Sequence, residues 1–181
     1  MLPLLKHKIM TDQNKLENGR FIIQRFDGYF DAINNKAAFY IALNTFIFGG
    51  ICTGYISLYD KVTPELTVIV FTTFHLLCSL GSILYTLYAM IPFTRHSYGY
   101  TNATSLLFFG GIAKHTCTNF QQKFINQNEE ALLEDMTEQI HCLANGLNNK
   151  FSRLKIANRF LYVQFTFLLP FFYIILKNLH S

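Results

Sequence analysis

The chain has 181 residues, of which 51% are hydrophobic, 16% aromatic and only 14% charged, whereas soluble domains carry about 25% charged residues. This composition disfavours a soluble enzyme, because one domain of this length cannot bury so large an apolar excess in its own core. The net charge of +4 is too small for a nucleic-acid-binding protein. Four cysteines without a CxxC pair fit a reducing, cytoplasm-facing protein.

Residues 1–36 predict a cytoplasmic amphipathic helix. Apolar residues recur there at spacings of seven, three and four, which place them on one helical face: Leu16, Ile23, Phe26, Phe30, Ile33 and Ala37.

Two uncharged stretches follow, and each is long enough to cross a bilayer. Residues 37–59 form 23 positions without a formal charge, about 34 Å of helix against a hydrocarbon core of about 30 Å. Residues 66–92 form the second predicted span. His75 lies within it, and a histidine at membrane depth is costly unless it faces the helix bundle or a pore.

The connector 93–159 predicts a cytoplasmic sensing region that leads into a third span at 160–176. Its first part, 93–118, is rich in turn-forming residues and predicts a loop. A second apolar stripe runs from Phe120 to Leu154 with one skipped turn at Asn128, and no proline separates it from the third span. We therefore expect one long helix entering the bilayer, with Asn145 and Gly146 as its weakest point.

The distribution of basic residues predicts the orientation. Residues 1–36 carry six Lys or Arg, residues 93–159 carry seven, and the connector 60–65 carries one. Loops rich in Lys and Arg remain in the cytoplasm, so we expect a cytoplasmic N-terminus.

Together these patterns predict an all-α membrane protein with about three transmembrane helices and a small cytoplasmic helical domain, formed by the N-terminal helix and the 93–159 connector. The two apolar stripes indicate either packing of these helices against each other or a coiled-coil seam between subunits. A domain this small is expected to benefit from homo-oligomerisation.

The sequence contains no nucleophile elbow, P-loop, dinucleotide fingerprint or HExxH motif, which argues against an enzyme. One cluster has the residue types of a zinc site, although adjacent helical residues point in different directions: His115, Cys117, His141 and Cys142. We expect neither a metal nor another cofactor.

A ligand site fits the connector better than an active site does. Phe108 and Phe109 suit stacking on a base, and the amides of Gly110 and Gly111 suit a phosphate. Cationic side chains that would neutralise the phosphate are Arg95, Lys114 and Lys150. The alternative is an aromatic core with surface cations.

Three blocks of sequence resemble the transmembrane effectors of the Pycsar (pyrimidine cyclase) anti-phage systems. They are RFDGYFDAINNKAAFYIALNTF (Arg25–Phe46), SLLFFGGIAK (Ser105–Lys114) and EDMTEQIHCLANGLNNKFSRLKIANRF (Glu134–Phe160). Family-like positions within these blocks are Asp27, Asp31, Asn35, Lys36, Ser105, Phe108, Phe109, Gly110, Ile112, Ala113, Asp135, Gln139, Ile140, His141 and Lys150.

The resemblance implies a membrane effector without catalytic activity. A neighbouring cyclase would make cyclic CMP or cyclic UMP, the nucleotide would bind the cytoplasmic part, and the spans would then impair the bacterial inner membrane and cause abortive infection. With the residue chemistry, it gives this candidate ligand-binding set: Arg95, Ser105, Phe108, Phe109, Gly110, Lys114, His141 and Lys150.

A second interpretation is a ligand-independent small membrane subunit or a holin-like pore-forming protein. It predicts activity without any cyclase, whereas the effector interpretation predicts dependence on one.

Overall fold

The computed structural model describes residues 11–58, 66–92 and 105–179. These residues form five helices, α1 (Asp12–Leu58), α2 (Leu66–Met90), α3 (Phe109–Ile112), α4 (Cys117–Ile125) and α5 (Glu129–Leu179), and no strand occurs within the described ranges. Helices α1, α2 and α5 are long and apolar enough to cross a membrane. The predicted all-α membrane architecture is confirmed.

Two helices extend well beyond the lengths needed to span a bilayer. Helix α1 has 47 residues and joins the predicted N-terminal helix to the first span without a break. Helix α5 has 51 residues, joins the connector to the third span, and continues through Asn145, Gly146 and Pro170. A proline inside a transmembrane helix is tolerated where neighbouring groups satisfy the carbonyl that it leaves unpaired.

The second apolar stripe does not form one helix from Phe120 onward. The chain leaves helix after Ile125 and re-enters it at Glu129. Asn128 is the cause, because its Oδ1 accepts a hydrogen bond from the Ala131 amide at 2.8 Å, which caps the N-terminus of α5. The skipped turn at Asn128 therefore marks a helix boundary.

The chain divides into two compact units. Of the described residues, the first contains 11–29, 92 and 105–147, and the second contains 30–58, 66–91 and 148–179.

Helices α1 and α5 pack closely within the first unit. A Cβ atom at Gly19 would collide with the sulphur of Met136 and would lie 3.6 Å from the Ile140 side chain. Met136 is only 4% exposed. Residues of the α5 apolar stripe therefore pack against α1 at Gly19 within one chain.

The second unit has the polarity of a membrane protein, with apolar side chains outside and polar side chains inside. Phe46, Ile56 and Leu169 are each more than 70% exposed. The buried interior includes a polar seam, which consists of Asn44 from α1, Thr72, His75, Ser79, Ser82 and Thr86 from α2, and Gln164 from α5. The five α2 members are spaced three and four residues apart, as one helical face requires.

Ser82 connects all three long helices within this seam. Its Oγ accepts a hydrogen bond from Asn44 Nδ2 at 2.9 Å and donates one to the Ala157 carbonyl oxygen at 3.0 Å. One turn away, Gln164 Nε2 donates to Ser79 Oγ at 2.5 Å. Such bonds associate helices in lipid, where burial of apolar surface supplies no driving force.

An apolar cluster lies beside the His75 part of the seam. Ile47, Ile51 and Phe171 form its buried centre. The Phe171 and His75 ring centroids are 4.9 Å apart.

Replacing Gly19 with leucine should destabilise the first unit, because the side chain would meet Met136. Overpacking of this kind costs about 1–3 kcal/mol. The control is Gly28→Leu, since nothing lies within 4 Å of a Cβ at Gly28 on the same helix. Thermal unfolding in detergent should show a lower midpoint for Gly19→Leu alone; equal midpoints would contradict the close packing.

Replacing Ser82 with alanine should destabilise the second unit by about 1–2 kcal/mol, because Asn44 and the Ala157 carbonyl would both lose a buried partner. Thr73→Ala is the control, since Thr73 is exposed on the same helix. Denaturant unfolding in mixed micelles measures the difference. If the two variants were equally stable, Ser82 would not join the helices.

Candidate functional site

Residues 105–114, which we call the Ser105 segment, are held against α5 by polar contacts. Ser105 Oγ accepts hydrogen bonds from the amides of Leu107 and Phe108, at 3.2 and 3.0 Å, and from Gln139 Nε2 at 3.1 Å. Asp135 Oδ2 accepts the Leu106 amide at 2.8 Å. The Ser105 hydroxyl and the Asp135 carboxylate therefore fix the backbone of this segment.

The aromatic pair in this segment presents one ring to the surroundings. Phe109 is 70% exposed, and its ring centroid lies 4.7 Å from that of Phe108. The Phe108 ring covers Gly110 so closely that a Cβ there would collide with it. Gly110 therefore permits this ring packing, while Phe109 retains a face on which a base can stack.

A groove of about 560 Å³ lies beside the segment in the first unit. Its lining includes the carboxylates of Glu134, Asp135 and Glu138 but only one cation, Lys123. The remaining lining residues are Ser105, Leu106, Asn126, Gln127 and Ala131. This excess of negative charge opposes the binding of a phosphate.

The predicted site residues are divided between the two units. The first unit contains Ser105, Phe108, Phe109, Gly110, Lys114 and His141, and the second unit contains Lys150. Arg95 lies outside the described residues. In the part of the chain that the structure describes, no three His, Cys, Asp or Glu side chains are arranged to hold a metal ion, and this includes the His115 cluster.

Lys150 is buried at the C-terminus of α2, where cations from α5 meet the last carbonyl groups of that helix. Its Nζ donates to the Met90 carbonyl oxygen at 3.4 Å. Arg153 Nη1 donates to the Tyr88 carbonyl oxygen at 2.9 Å, and its guanidinium lies 3.7 Å from the centroid of the Tyr88 ring. Both cations thereby stabilise the negative end of the α2 dipole.

Burial lowers the pKa of Lys150 from its ordinary value of 10.5, and the charge of Arg153 lowers it further. The geometry thus gives Lys150 a place in helix packing that the sequence pattern did not indicate.

A second groove, which we call the cationic groove, lies between α1 and α5 in the second unit and has a volume of about 450 Å³. Two lysines line it, Lys36 and Lys155, and no carboxylate does. The other lining residues are Tyr40, Asn148, Phe151, Ser152, Leu154 and Asn158. Two cations, two aromatic rings and two amides suit a ligand that combines a phosphate with a planar polar ring.

Lys36 is the one lining residue of this groove that the sequence blocks marked as a family-like position. The groove could have been found from polar and cationic residues that recur at helical spacing near the start of the first and third spans. Lys36 and Tyr40 are four residues apart on α1, and Asn148, Ser152 and Lys155 are spaced four and three residues apart on α5.

The lowered pKa of Lys150 predicts a pH dependence that Lys150→Met should remove. Between the folded-state pKa and 10.5, the unfolded state binds more protons than the folded state, so the free energy of unfolding rises with pH in that interval. Unfolding midpoints measured from pH 8 to 10.5 should rise in the wild type relative to the variant. Parallel curves would show that Lys150 titrates normally.

Comparisons with curated proteins and with solved structures gave no match. A family model described as the Pycsar effector protein domain matches residues 18–177. The match contains the whole of α2 and all but the ends of α1 and α5. The chain therefore belongs to the Pycsar effector protein domain family, as its three sequence blocks predicted, and is a transmembrane effector of that family.

Proposed function

We propose that this effector is activated by a cyclic pyrimidine nucleotide, cyclic CMP or cyclic UMP, and that activation impairs the bacterial inner membrane and causes abortive infection. The observation that carries the proposal is the family match over 160 residues, which contains most of all three apolar helices. The effector acts by binding and not by catalysis. A neighbouring cyclase supplies the nucleotide.

The proposed orientation places the N-terminus and the connector in the cytoplasm, where the nucleotide is made. The bias of Lys and Arg toward residues 1–36 and 93–159 supports this orientation.

The cationic groove is the proposed position of the nucleotide phosphate. A cyclic nucleotide carries one negative charge, which Lys36 and Lys155 would neutralise, whereas the carboxylates of the other groove would repel it. Tyr40 and Phe151 would stack on the pyrimidine ring, and the amides of the groove would pair with its polar edge. The sequence supports a second candidate position for the nucleotide, at the exposed ring of Phe109 and the cation of Lys114.

Hydrogen bonds link the cationic groove to the interior of the second unit. The carbonyl oxygen of Tyr40 accepts Asn44 Nδ2 at 2.8 Å, and the same amide group donates to Ser82. Ser82 in turn bonds the carbonyl oxygen of Ala157, the neighbour of the groove residue Asn158. A ligand that changes the spacing of α1 and α5 would therefore act on the polar seam directly, provided that it binds two arrangements of the helices with different affinity.

Potassium-loaded proteoliposomes with a potential-sensitive dye test the proposal. Cyclic CMP or cyclic UMP should dissipate the potential, and linear CMP and UMP should not. In cells, loss of membrane potential after infection should require the cyclase. Dissipation without any nucleotide or cyclase would favour the ligand-independent interpretation instead.

Removing both groove lysines, by Lys36→Ala with Lys155→Ala, should weaken nucleotide binding at least about tenfold, because charge-assisted contacts contribute about 1.5–3 kcal/mol each. Lys123→Ala, in the acidic groove, is the matched control. Calorimetric titration in nanodiscs without anionic lipid gives the affinities and excludes competition by phospholipid headgroups. Weakened binding in Phe109→Ala and Lys114→Ala, with none in the lysine pair, would place the nucleotide at the Ser105 segment.

A further inference from the structure

The polar seam continues for about 21 Å along α2, from Thr72 to Thr86. Its α2 members are at most 6% exposed, and its partners Asn44 and Gln164 are completely buried. Paired polar side chains account for helix association in lipid, whereas polar atoms that are buried without a partner carry a desolvation cost and indicate a function.

Several polar atoms of the seam have no hydrogen-bond partner among the described residues. His75 Nδ1 donates to the Phe71 carbonyl oxygen at 2.8 Å, and Nε2 of the same ring has no partner. The same is true of Asn44 Oδ1 and Gln164 Oε1, and the hydroxyl of Thr72 is also unpaired. Each such atom costs about 1–3 kcal/mol.

Helix association alone does not account for these atoms. Polar residues that only join helices have their groups paired, as Ser82 does. Unpaired donors and acceptors placed in a row are instead the groups that hydrogen-bond to water when a path is hydrated.

We propose that the polar seam lines the path through which the activated effector passes water and small ions. This inference rests on the proposed function, because it specifies how the membrane is impaired. The arrangement described here is the closed state, since the seam is buried between α1 and α5.

The apolar cluster beside His75 is the seal of this path. Ile47, Ile51 and Phe171 fill the interior there, and the partly buried side chains of Leu43, Phe71, Leu76 and Ile175 pack around them. Apolar constrictions block ions by excluding water. Activation therefore has to separate this cluster as well as hydrate the seam.

Cysteine accessibility tests the lining directly. In a background with the native cysteines replaced by alanine, Ser79→Cys and Ser82→Cys are nearly isosteric probes. Both should resist a charged methanethiosulfonate reagent in resting proteoliposomes, react at least tenfold faster with cyclic CMP or cyclic UMP present, and reduce potassium flux once labelled. The native cysteines replaced are Cys52, Cys78, Cys117 and Cys142.

Leu77→Cys and Leu84→Cys on the same helix are the controls. Both positions are more than half exposed on the apolar exterior, so lipid should keep them unreactive in either state. Equal labelling of the exterior and seam positions would indicate general disruption and overturn the inference.

The seal supplies a test that needs no nucleotide. Ile51→Ser should leak potassium constitutively, at least about tenfold above the wild type, whereas Ile56→Ser, at an exposed position of α1, should not. If the nucleotide fails to dissipate the potential but Ile51→Ser leaks and exposes the seam cysteines, the proposed activation is wrong and the path remains. If flux occurs while the seam cysteines stay unreactive, the seam only joins helices and the inference is wrong.

Discussion

The architecture of the second unit depends on how three helices satisfy polar groups in the absence of water. Ser82 is the centre of this arrangement, because one hydroxyl bonds the side chain of Asn44 on α1 and the backbone of α5 at Ala157. A serine in this position holds both neighbouring helices at hydrogen-bond distance from α2. The apolar exterior then faces lipid, and the remaining polar groups of the seam are confined between the helices.

The same bonds connect the membrane interior with the cationic groove. Asn44 bonds the backbone of the groove residue Tyr40, and Ala157 precedes the groove residue Asn158. Helices α1 and α5 each contribute residues to the cationic groove and to the polar seam, and no loop lies between the two sites. In the proposed mechanism, nucleotide binding at Lys36 and Lys155 displaces α1 and α5 and thereby separates them around the seam.

Much of this fold was predictable from the sequence. Uncharged stretches predicted the three spanning helices, because length and charge are read directly, and the three family-like blocks predicted the family. The cationic groove was not predicted as a site, because Lys36 and Lys155 come from distant parts of the chain and only the packing of α1 and α5 brings them together. The contact between the Lys150 amine and the end of α2 was not predicted, because sequence spacing does not show which helix end a side chain meets.

In the proposed mechanism, a cyclic pyrimidine nucleotide opens a defined path along the polar face of α2. Current recordings of the purified protein in planar bilayers can detect such a path. We expect discrete current steps of one unit size that begin after cyclic CMP or cyclic UMP is added, and whose size changes in Thr86→Val, which alters the lining. An irregular leak without a unit amplitude, insensitive to that substitution, would contradict it.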